Sequence, residues 1–368
     1  MIGIYIHIPF CKKKCPYCDF YSFSADENQK DSYLKAVLFE LKKWSEKTNE
    51  GVDSIYFGGG TPSVFGAERI CKIISCIKES FSLENSQITV ECNPDTATKE
   101  FFSLLAEQGV NRISMGVQSS VEKERKALGR VSSLETVKAA TENAKSAGIS
   151  DISLDLMLGV PFQTMESLDE SIDFLLSLDI KHISAYMLKI EEGTPFYENQ
   201  ESLSLPDEDI VCDMYLHTIK KLKENGFLQY EISNFCKKGY ESRHNLKYWH
   251  CEEYLGIGPS AHSFLFGRRF YYERDFDFFL RGKDVIDDGE GGSKQEYAML
   301  ALRLSEGLVF KKYEERYNEK LDDKTIRMAK KLEKHGWVIC NDESIALTER
   351  GFLLSNPVIR KLICFLGS

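Results

Sequence analysis

The sequence predicts an α/β protein: a partial parallel (β/α)6 barrel followed by a small α+β unit of winged-helix type. Three observations carry this expectation. Short apolar runs alternate with longer amphipathic stretches through the first half of the chain. Glycine or polar residues recur where each apolar run ends, and beyond residue 293 the pattern changes to helices and a hairpin. Alternating strands and helices imply right-handed βαβ units and a parallel sheet, open or curled. The polar strand ends favour the barrel, because barrel active sites sit at C-terminal strand ends.

The first strand, Gly3–Ile8, opens directly into Cys11, Cys15 and Cys18. Ser32–Lys47 reads as a helix, with Leu34, Val37, Leu38, Leu41 and Trp44 at three- and four-residue steps. Ser54–Phe57 is the second strand and ends in Gly58-Gly59-Gly60-Thr61-Pro62; helix Ala67–Glu79 follows. Ile88–Glu91 leads through Cys92-Asn93-Pro94-Asp95 into helix Lys99–Gln108. Arg112–Val117 ends at Gln118, before helix Leu134–Ala147. Ile152–Met157 carries Asp155 and runs into Gly159-Val160-Pro161, before helix Ser167–Leu178. His182–Met187 is the sixth strand. Helix Pro206–Gly226 ends on a glycine suited to a C-cap, and Leu228–Phe235 reads as one further strand. Polar, Gly-rich Asp284–Ser293 reads as a linker. Helices Glu296–Leu304 and Asp323–His335 and a hairpin Trp337–Leu347, turning at Asp342-Glu343, complete the small unit. Its mixed charge offers no clear phosphate-binding face, so a packing or lid role is expected.

With 368 residues, 42% hydrophobic and 28% charged, the chain has the make-up of a soluble globular protein with one large domain and an appendage. A formal net charge of -10 disfavours a nucleic-acid partner, since phosphate binding needs basic surface. Ile2–Phe10 lacks a basic lead-in and a cleavage site, and no stretch reaches bilayer length. The expected location is cytoplasmic, with thiols kept reduced and at most transient contact with the membrane surface.

Cys11, Cys15 and Cys18 form a C-x3-C-x2-C pattern with no fourth cysteine nearby. A [4Fe–4S] cube takes four thiolates, so three would leave one iron open for chemistry. A structural zinc site or a redox dithiol also uses C-x-x-C. Zinc, however, asks for a second ligand pair, and the next cysteines, Cys71, Cys76 and Cys92, are scattered. Lys12, Lys13 and Lys14 inside the loop either favour the thiolates or form a solvated basic stretch. The Gly58–Gly60 run offers backbone free of side chains beside a ligand, without the Gly-Lys-Ser/Thr ending of a P-loop.

The cysteine loop after the first strand, with Gly-Gly-Gly-Thr-Pro after the second, resembles the radical S-adenosylmethionine superfamily. That resemblance implies a [4Fe–4S] cluster on Cys11, Cys15 and Cys18, whose unique iron binds the methionine amine and carboxylate. One-electron transfer then cleaves the sulfonium to a 5′-deoxyadenosyl radical. It implies that Gly59, Gly60 and Thr61 meet the methionine amine and that Glu91, Gln118, Arg130 and Asp155 bind the rest of the cofactor. Asp155 suits the ribose hydroxyls, and Glu91 or Arg130 an amine or carboxylate. Tyr5 and Tyr17 are expected to flank the site.

Tyr5-Ile6-His7-Ile8-Pro9-Phe10-Cys11, Gly116-Val117-Gln118-Ser119, Asp155–Thr164 and Gly193-Thr194-Pro195-Phe196 resemble the family of oxygen-independent coproporphyrinogen III oxidases, which also contains a haem chaperone branch. The oxidases place a further cysteine where Phe20 stands, and carry a long extension before the cluster motif. His244-Asn245-Leu246-Lys247-Tyr248-Trp249 matches the H-N-x-x-Y-W motif of the chaperone branch. The resemblance therefore implies a haem chaperone, with His244 as haem ligand and Tyr248 and Trp249 against the porphyrin. Oxidative decarboxylation of coproporphyrinogen III is the alternative; radical modification of RNA is disfavoured by the acidic balance. The implied partners are haem, apo-haem proteins such as respiratory enzymes, an electron donor and a second copy of the chain. Many relatives have histidine where Ser132 stands, and His262 and Cys251 read as structural. The expected division is a barrel domain over 1–285, its haem-motif extension spanning about 236–285, and a small domain over 286–368.

Overall fold

The computed structural model describes residues 1–367. Twelve strands form one sheet: β1 Ile2–Ile8, β2 Val52–Gly59, β3 Leu83–Cys92, β4 Arg112–Gln118, β5 Asp151–Leu158, β6 His182–Met187, β7 Leu228–Glu231, β8 Asn234–Cys236, β9 Tyr254–Ile257, β10 His262–Leu265, β11 Arg268–Tyr271 and β12 Ile286–Glu290. The spatial order is β12-β11-β10-β9-β1-β2-β3-β4-β5-β6-β8-β7. β1 to β6 pair in parallel, as the sequence predicts, and their two outer neighbours differ. β9 adds a seventh parallel strand beside β1, while β8 is antiparallel to β6. No pairing joins the two ends of the sheet among the described residues, so the barrel is partial.

Register decides what this sheet encloses. Ile4 pairs with Ile55 and Ile6 with Phe57; Ile55 pairs with Ile88, and Ile113 with Ile152. These apolar residues are fully or almost fully buried and alternate with polar ones along each strand. The polar rows are aligned as well. Tyr5, Tyr56, Thr89, Arg112 and Asp151 form one row across five strands; Glu91, Ser114, Ser153 and His182 form the next. Parallel sheets covered on both faces usually read as continuous apolar runs. Here only the helix-covered face is apolar, and the inner face is polar.

The helices expected outside the sheet are present as Glu27–Ser45, Ala67–Ser80, Lys99–Glu107, Leu134–Ser146 and Met165–Leu176. Asp26 caps the first of these, accepting from the Gln29 N–H at 2.8 Å, while Gln29 Oε1 accepts from the Asp26 N–H at 3.0 Å.

Two expectations change, and one motif gains a place in the fold. Leu228–Phe235 is not one strand but the β7–β8 hairpin, bent at Ile232-Ser233, which turns Glu231 and Asn234 inward. Asp284–Ser293 is not a linker throughout: Ile286–Glu290 pairs with β11 as an edge strand, and edge pairing needs backbone groups, not apolar side chains. His244–Trp249 lies in a helix, Arg243–Trp249, capped by Ser242. The C-terminal unit has the expected hairpin, β14 Val338–Cys340 with β15 Ser344–Leu347, joined by β13 Leu308–Val309. Among the described residues no helix is long and apolar enough to cross a membrane.

Gly256 on β9 lies against the turn into β10; a Cβ there would stand 2.1 Å from the His262 carbonyl oxygen. Gly256→Ala is expected to cost about 3 kcal/mol, read as a fall in the denaturant midpoint, whereas Gly226→Ala, with open space around it, pays only the strain of its positive φ.

Candidate functional site

The C-terminal ends of β1 to β6 surround a cavity of about 520 Å³. Its wall includes Cys11, Cys15, Cys18, Tyr17, Gly59, Gly60, Thr61, Glu91, Gln118, Arg130 and Asp155. The cysteine loop is fixed from several sides. Gly60 N–H donates to the Ile8 carbonyl and Thr61 N–H to the Phe10 carbonyl, each at 2.8 Å. Cys11 N–H donates to the Phe23 carbonyl, and Phe23 N–H to the Pro9 carbonyl, each at 2.9 Å. Phe10 is fully buried among Phe23, Tyr33, Phe65 and Phe276. Arg274 donates to the Asp19 side chain at 3.0 Å and holds the far end of the loop.

The glycines are there for space. A Cβ on Gly60 would lie 2.8–2.9 Å from the backbone of Ile8 and Phe10. Gly59 has φ of +105°, and its Cβ would stand 2.6 Å from the His7 ring. The Thr61 hydroxyl lies 3.4 Å from Cys11 Sγ, close enough to donate to a thiolate.

His7 joins this loop to the lumen. Its Nε2 is 2.9 Å from the Tyr21 carbonyl oxygen, which can only accept, so Nε2 carries the proton. Nδ1 then accepts from the Tyr5 hydroxyl at 3.0 Å. Tyr5 therefore does not flank the cavity as expected. Its ring packs against Tyr56 and His244, and it acts on the loop through His7. The sequence displays His7 within its first motif, but nothing in the spacing assigns it this task.

The cavity is rich in buried charge. Burial pushes Glu91 up to about 7, opposed by the Tyr56 hydroxyl, which donates to Oε1 at 2.8 Å, and reinforced by Asp155. Burial pushes Asp155 up to about 6 against Ser184, Arg130, Arg112 and Ser114. Arg130 donates to the Tyr17 hydroxyl from Nη2 at 3.0 Å and from Nε at 3.3 Å. Burial works against the Arg130 charge, but Tyr17, Cys15 and Asp155 outweigh it, so the guanidinium stays protonated. Burial raises the Cys18 thiol, and Cys15 and Cys11 add to the effect. Ser132 donates to Asp95 and ties its loop to the end of β3. Tyr56, Ser114, Ser184 and Tyr186 belong to this environment too. They lie on β2, β4 and β6, so only the register between strands brings them to Glu91 and Asp155.

His244 is placed elsewhere. Gly3 and Ser54, its neighbours, lie at the N-terminal ends of β1 and β2, opposite the cavity. Its Nδ1 is 3.0 Å from Ser54 Oγ and its Nε2 2.9 Å from the Tyr248 hydroxyl. It is 1% exposed, and burial, with the Lys247 charge second, lowers it to about 3. The same helix is anchored by buried Lys247, which pairs with Asp53 at 3.0 Å and Glu252 at 3.2 Å.

The residues present fit an open cluster and a cofactor carrying both cationic and hydroxyl groups. Three thiols, of Cys11, Cys15 and Cys18, line one cavity, and three is the number that leaves one iron of a cube open. The glycine cradle leaves backbone accessible. Gln118, in the left-handed region at φ of 71°, has a buried Oε1 with no partner among the described residues. Two buried carboxyls lie where a cation would stabilise their charge.

The model of the radical SAM superfamily matches residues 5–175, and that of the HemN C-terminal domain residues 295–354. The chain is 36% identical to heme chaperone HemW of Bacillus subtilis (strain 168), over 97% of this chain and 98% of that protein. It is 33% identical to heme chaperone HemW of Lactococcus lactis subsp. lactis (strain IL1403), over 98% and 96%. Among solved structures, coproporphyrinogen III oxidase (HemN) from Escherichia coli superposes with a TM-score of 0.85. That match covers 99% of this chain and 90% of that one at 20% identity, a likeness of fold.

Buried neutral His7, lowered to about 4 mainly by burial, gives the fold a sign-defined pH dependence. Between pH 6.5 and 4 the unfolded chain takes up a proton here that the folded protein refuses. Stability is therefore untouched by His7 above pH 6.5 and falls on acidification, by about 3 kcal/mol at pH 4. Chemical denaturation of wild type and His7→Gln across this range checks it: the variant is expected to lose less stability on acidification.

Proposed function

The chain belongs to the HemW family of radical SAM proteins, and we propose that it binds haem and delivers it to apo-haem proteins. The observation that carries this reading is full-length identity above 30% to relatives named heme chaperone HemW, spanning both domains. The family implies a [4Fe–4S] cluster and S-adenosylmethionine. Cys11, Cys15 and Cys18 would hold the cluster, and Gly59, Gly60, Thr61, Glu91, Gln118, Arg130, Asp155 and Tyr17 the cofactor. When bound, that pair supplies one-electron chemistry. The chain's own part is to clasp the loop through Ile8 and Phe10, to keep Arg130 charged, and to present two carboxyls that lose their protons to solvent as a cationic ligand binds. Phe20, 65% exposed at the cavity edge, stands where the oxidases carry a cysteine, which supports the chaperone over the oxidase. Apo-haem respiratory enzymes, an electron donor for the cluster, pairing with a second copy and transient membrane contact are the partners that complete this reading.

Haem ligation by His244 requires the imidazole to leave Tyr248 and the Arg243–Trp249 helix to move off β1 and β2. Absorbance titration with haem tests this on three proteins. His244→Ala is expected to lose the ligand band and about tenfold in affinity, since one axial bond is removed. Tyr248→Phe, which frees Nε2 beforehand, is expected to bind at least as tightly as wild type. Unchanged stoichiometry and spectrum in His244→Ala would place the ligand elsewhere. Anaerobic turnover of coproporphyrinogen III by the same preparation would favour the oxidase.

A further inference from the structure

Arg112 is the largest fully buried side chain among the described residues, 2% exposed, and it points into the lumen from the first residue of β4. In register it lies between Thr89 on β3 and Asp151 on β5. Its nearest carboxylate is that of Asp151, 3.8 Å from Nε, too far for a hydrogen bond. Nε has no hydrogen-bond partner among the described residues, and neither has Asp151 Oδ1 or Thr89 Oγ1 beside it. Glu231 Oε2 and Asn234 Oδ1, turned inward by the β7–β8 hairpin, are likewise unpartnered. The guanidinium charge is thus not consumed by a close ion pair. Burying an arginine in this way is costly unless the charge is used.

The next inward residue on β4 is Ser114, about 6.6 Å further along the strand. Ser114 pairs in register with Glu91 and donates to Asp155 Oδ1 at 3.4 Å. Arg112 therefore sits one inward step beneath Glu91 and, because Asp155 pairs with Gly116, two beneath Asp155. Around them, Glu91 accepts from Tyr56 of β2, and its charge also acts through space on Tyr5 of β1 and Tyr248 of the helix below. Asp155 meets Ser184 and Tyr186 from β6 and Arg130 from the loop after β4. The tyrosines are neutral, as is His182, which burial holds well below its ordinary value. Arg130 is the buried cation at the cavity, where Lys13 and Lys14 of the cysteine loop also line the wall, and Arg112 is the cation beneath it.

We propose that Arg112 is a positioning residue, the internal counter-cation that holds Glu91 and Asp155 ready for the cofactor from below. It touches neither cluster nor cofactor and acts through the field in a low-dielectric lumen, where a unit charge reaches further than in water. Arg112 opposes the burial that raises both carboxyls. Without it they keep their protons at neutral pH and lose the charge that receives a cationic ligand. Asp151, on the other side of the guanidinium, competes for the same field. The role of the two carboxyls as cofactor ligands rests on the family reading above; the electrostatic claim does not.

The test uses full-length Arg112→Met, Arg112→Lys and Asp151→Asn, with circular dichroism as the check on folding. Infrared titration of the protonated carboxyl stretch, on protein without cluster, reads the lumen directly; Glu91→Gln and Asp155→Asn assign the bands. Arg112→Met is expected to raise the midpoint by about one pH unit, Arg112→Lys to keep it near wild type, and Asp151→Asn to lower it. On reconstituted protein, S-adenosylmethionine binding to Arg112→Met is expected to be about tenfold weaker at pH 7 and to recover by pH 9. An unmoved midpoint in Arg112→Met overturns the proposal. Should that variant not fold, an unmoved midpoint in Asp151→Asn does the same. Midpoints that move as expected in a wild type that does not bind S-adenosylmethionine would uphold the counter-cation and overturn the cofactor reading.

Discussion

The strand register is the constraint on which everything else depends. Because side chains alternate across a strand, a slip of one residue between β1 and β2 would exchange Ile4 and Ile6 for Tyr5 and His7. The helices outside would then face hydroxyls, and the lumen would be filled with isoleucine. In-register pairing from β1 to β6 instead stacks the apolar rows against the helices and the polar rows against one another. The same pairing carries on past the strand ends. Gly60 and Thr61 donate to Ile8 and Phe10 as if the ladder continued, and this seats the cysteine loop beside the glycine run. A site that draws on the ends of several strands is fixed only because one register governs them all.

A polar lumen has an electrostatic cost that the fold meets by sharing. Glu91, Asp155, Asp151 and Glu231 are all raised by burial; Arg112 and Arg130 oppose it at the cavity end, Arg243 at Asp151 and Arg303 at Glu231. Hydroxyls do the rest. Tyr56 donates to Glu91, Ser114 to Asp155 and Ser153 lies 2.7 Å from His182. Such a network holds side chains in one arrangement, at the expense of stability that a hydrophobic interior would have provided.

Much of this was legible in the chain. The six parallel strands follow from apolar runs bounded by glycine and polar residues, and Cys11, Cys15, Cys18, Gly59, Gly60 and Asp155 all meet at one cavity. What escaped has physical causes. β9 is four residues long and β12 is polar, so backbone pairing, not side-chain pattern, makes them strands. Arg112, Ser153 and His182 look like solvent-facing positions of half-buried strands, because alternation alone cannot tell an enclosed polar face from an exposed one. The direction in which His244 points is set by where its helix docks, and that docking rests on Lys247, Asp53 and Ser54, far apart in sequence.

His244 and the cavity occupy opposite ends of the lumen, yet they are not independent. The His244 ring packs on Tyr56 at 5.4 Å between centroids, and the hydroxyl of that same tyrosine donates to Glu91. Tyr5 is shared in the same way: it packs on His244 at 6.2 Å and donates to His7, which holds the loop carbonyl of Tyr21. Two tyrosines thus stand between the motif helix and the cofactor end, one leading to a carboxyl and one to the cluster loop. A movement that withdraws His244 removes the packing partner of both. In close-packed interiors such a loss is felt by the neighbours and is not absorbed as slack. His244 and the groups that line the cavity therefore act on the same two side chains, from opposite ends of one lumen.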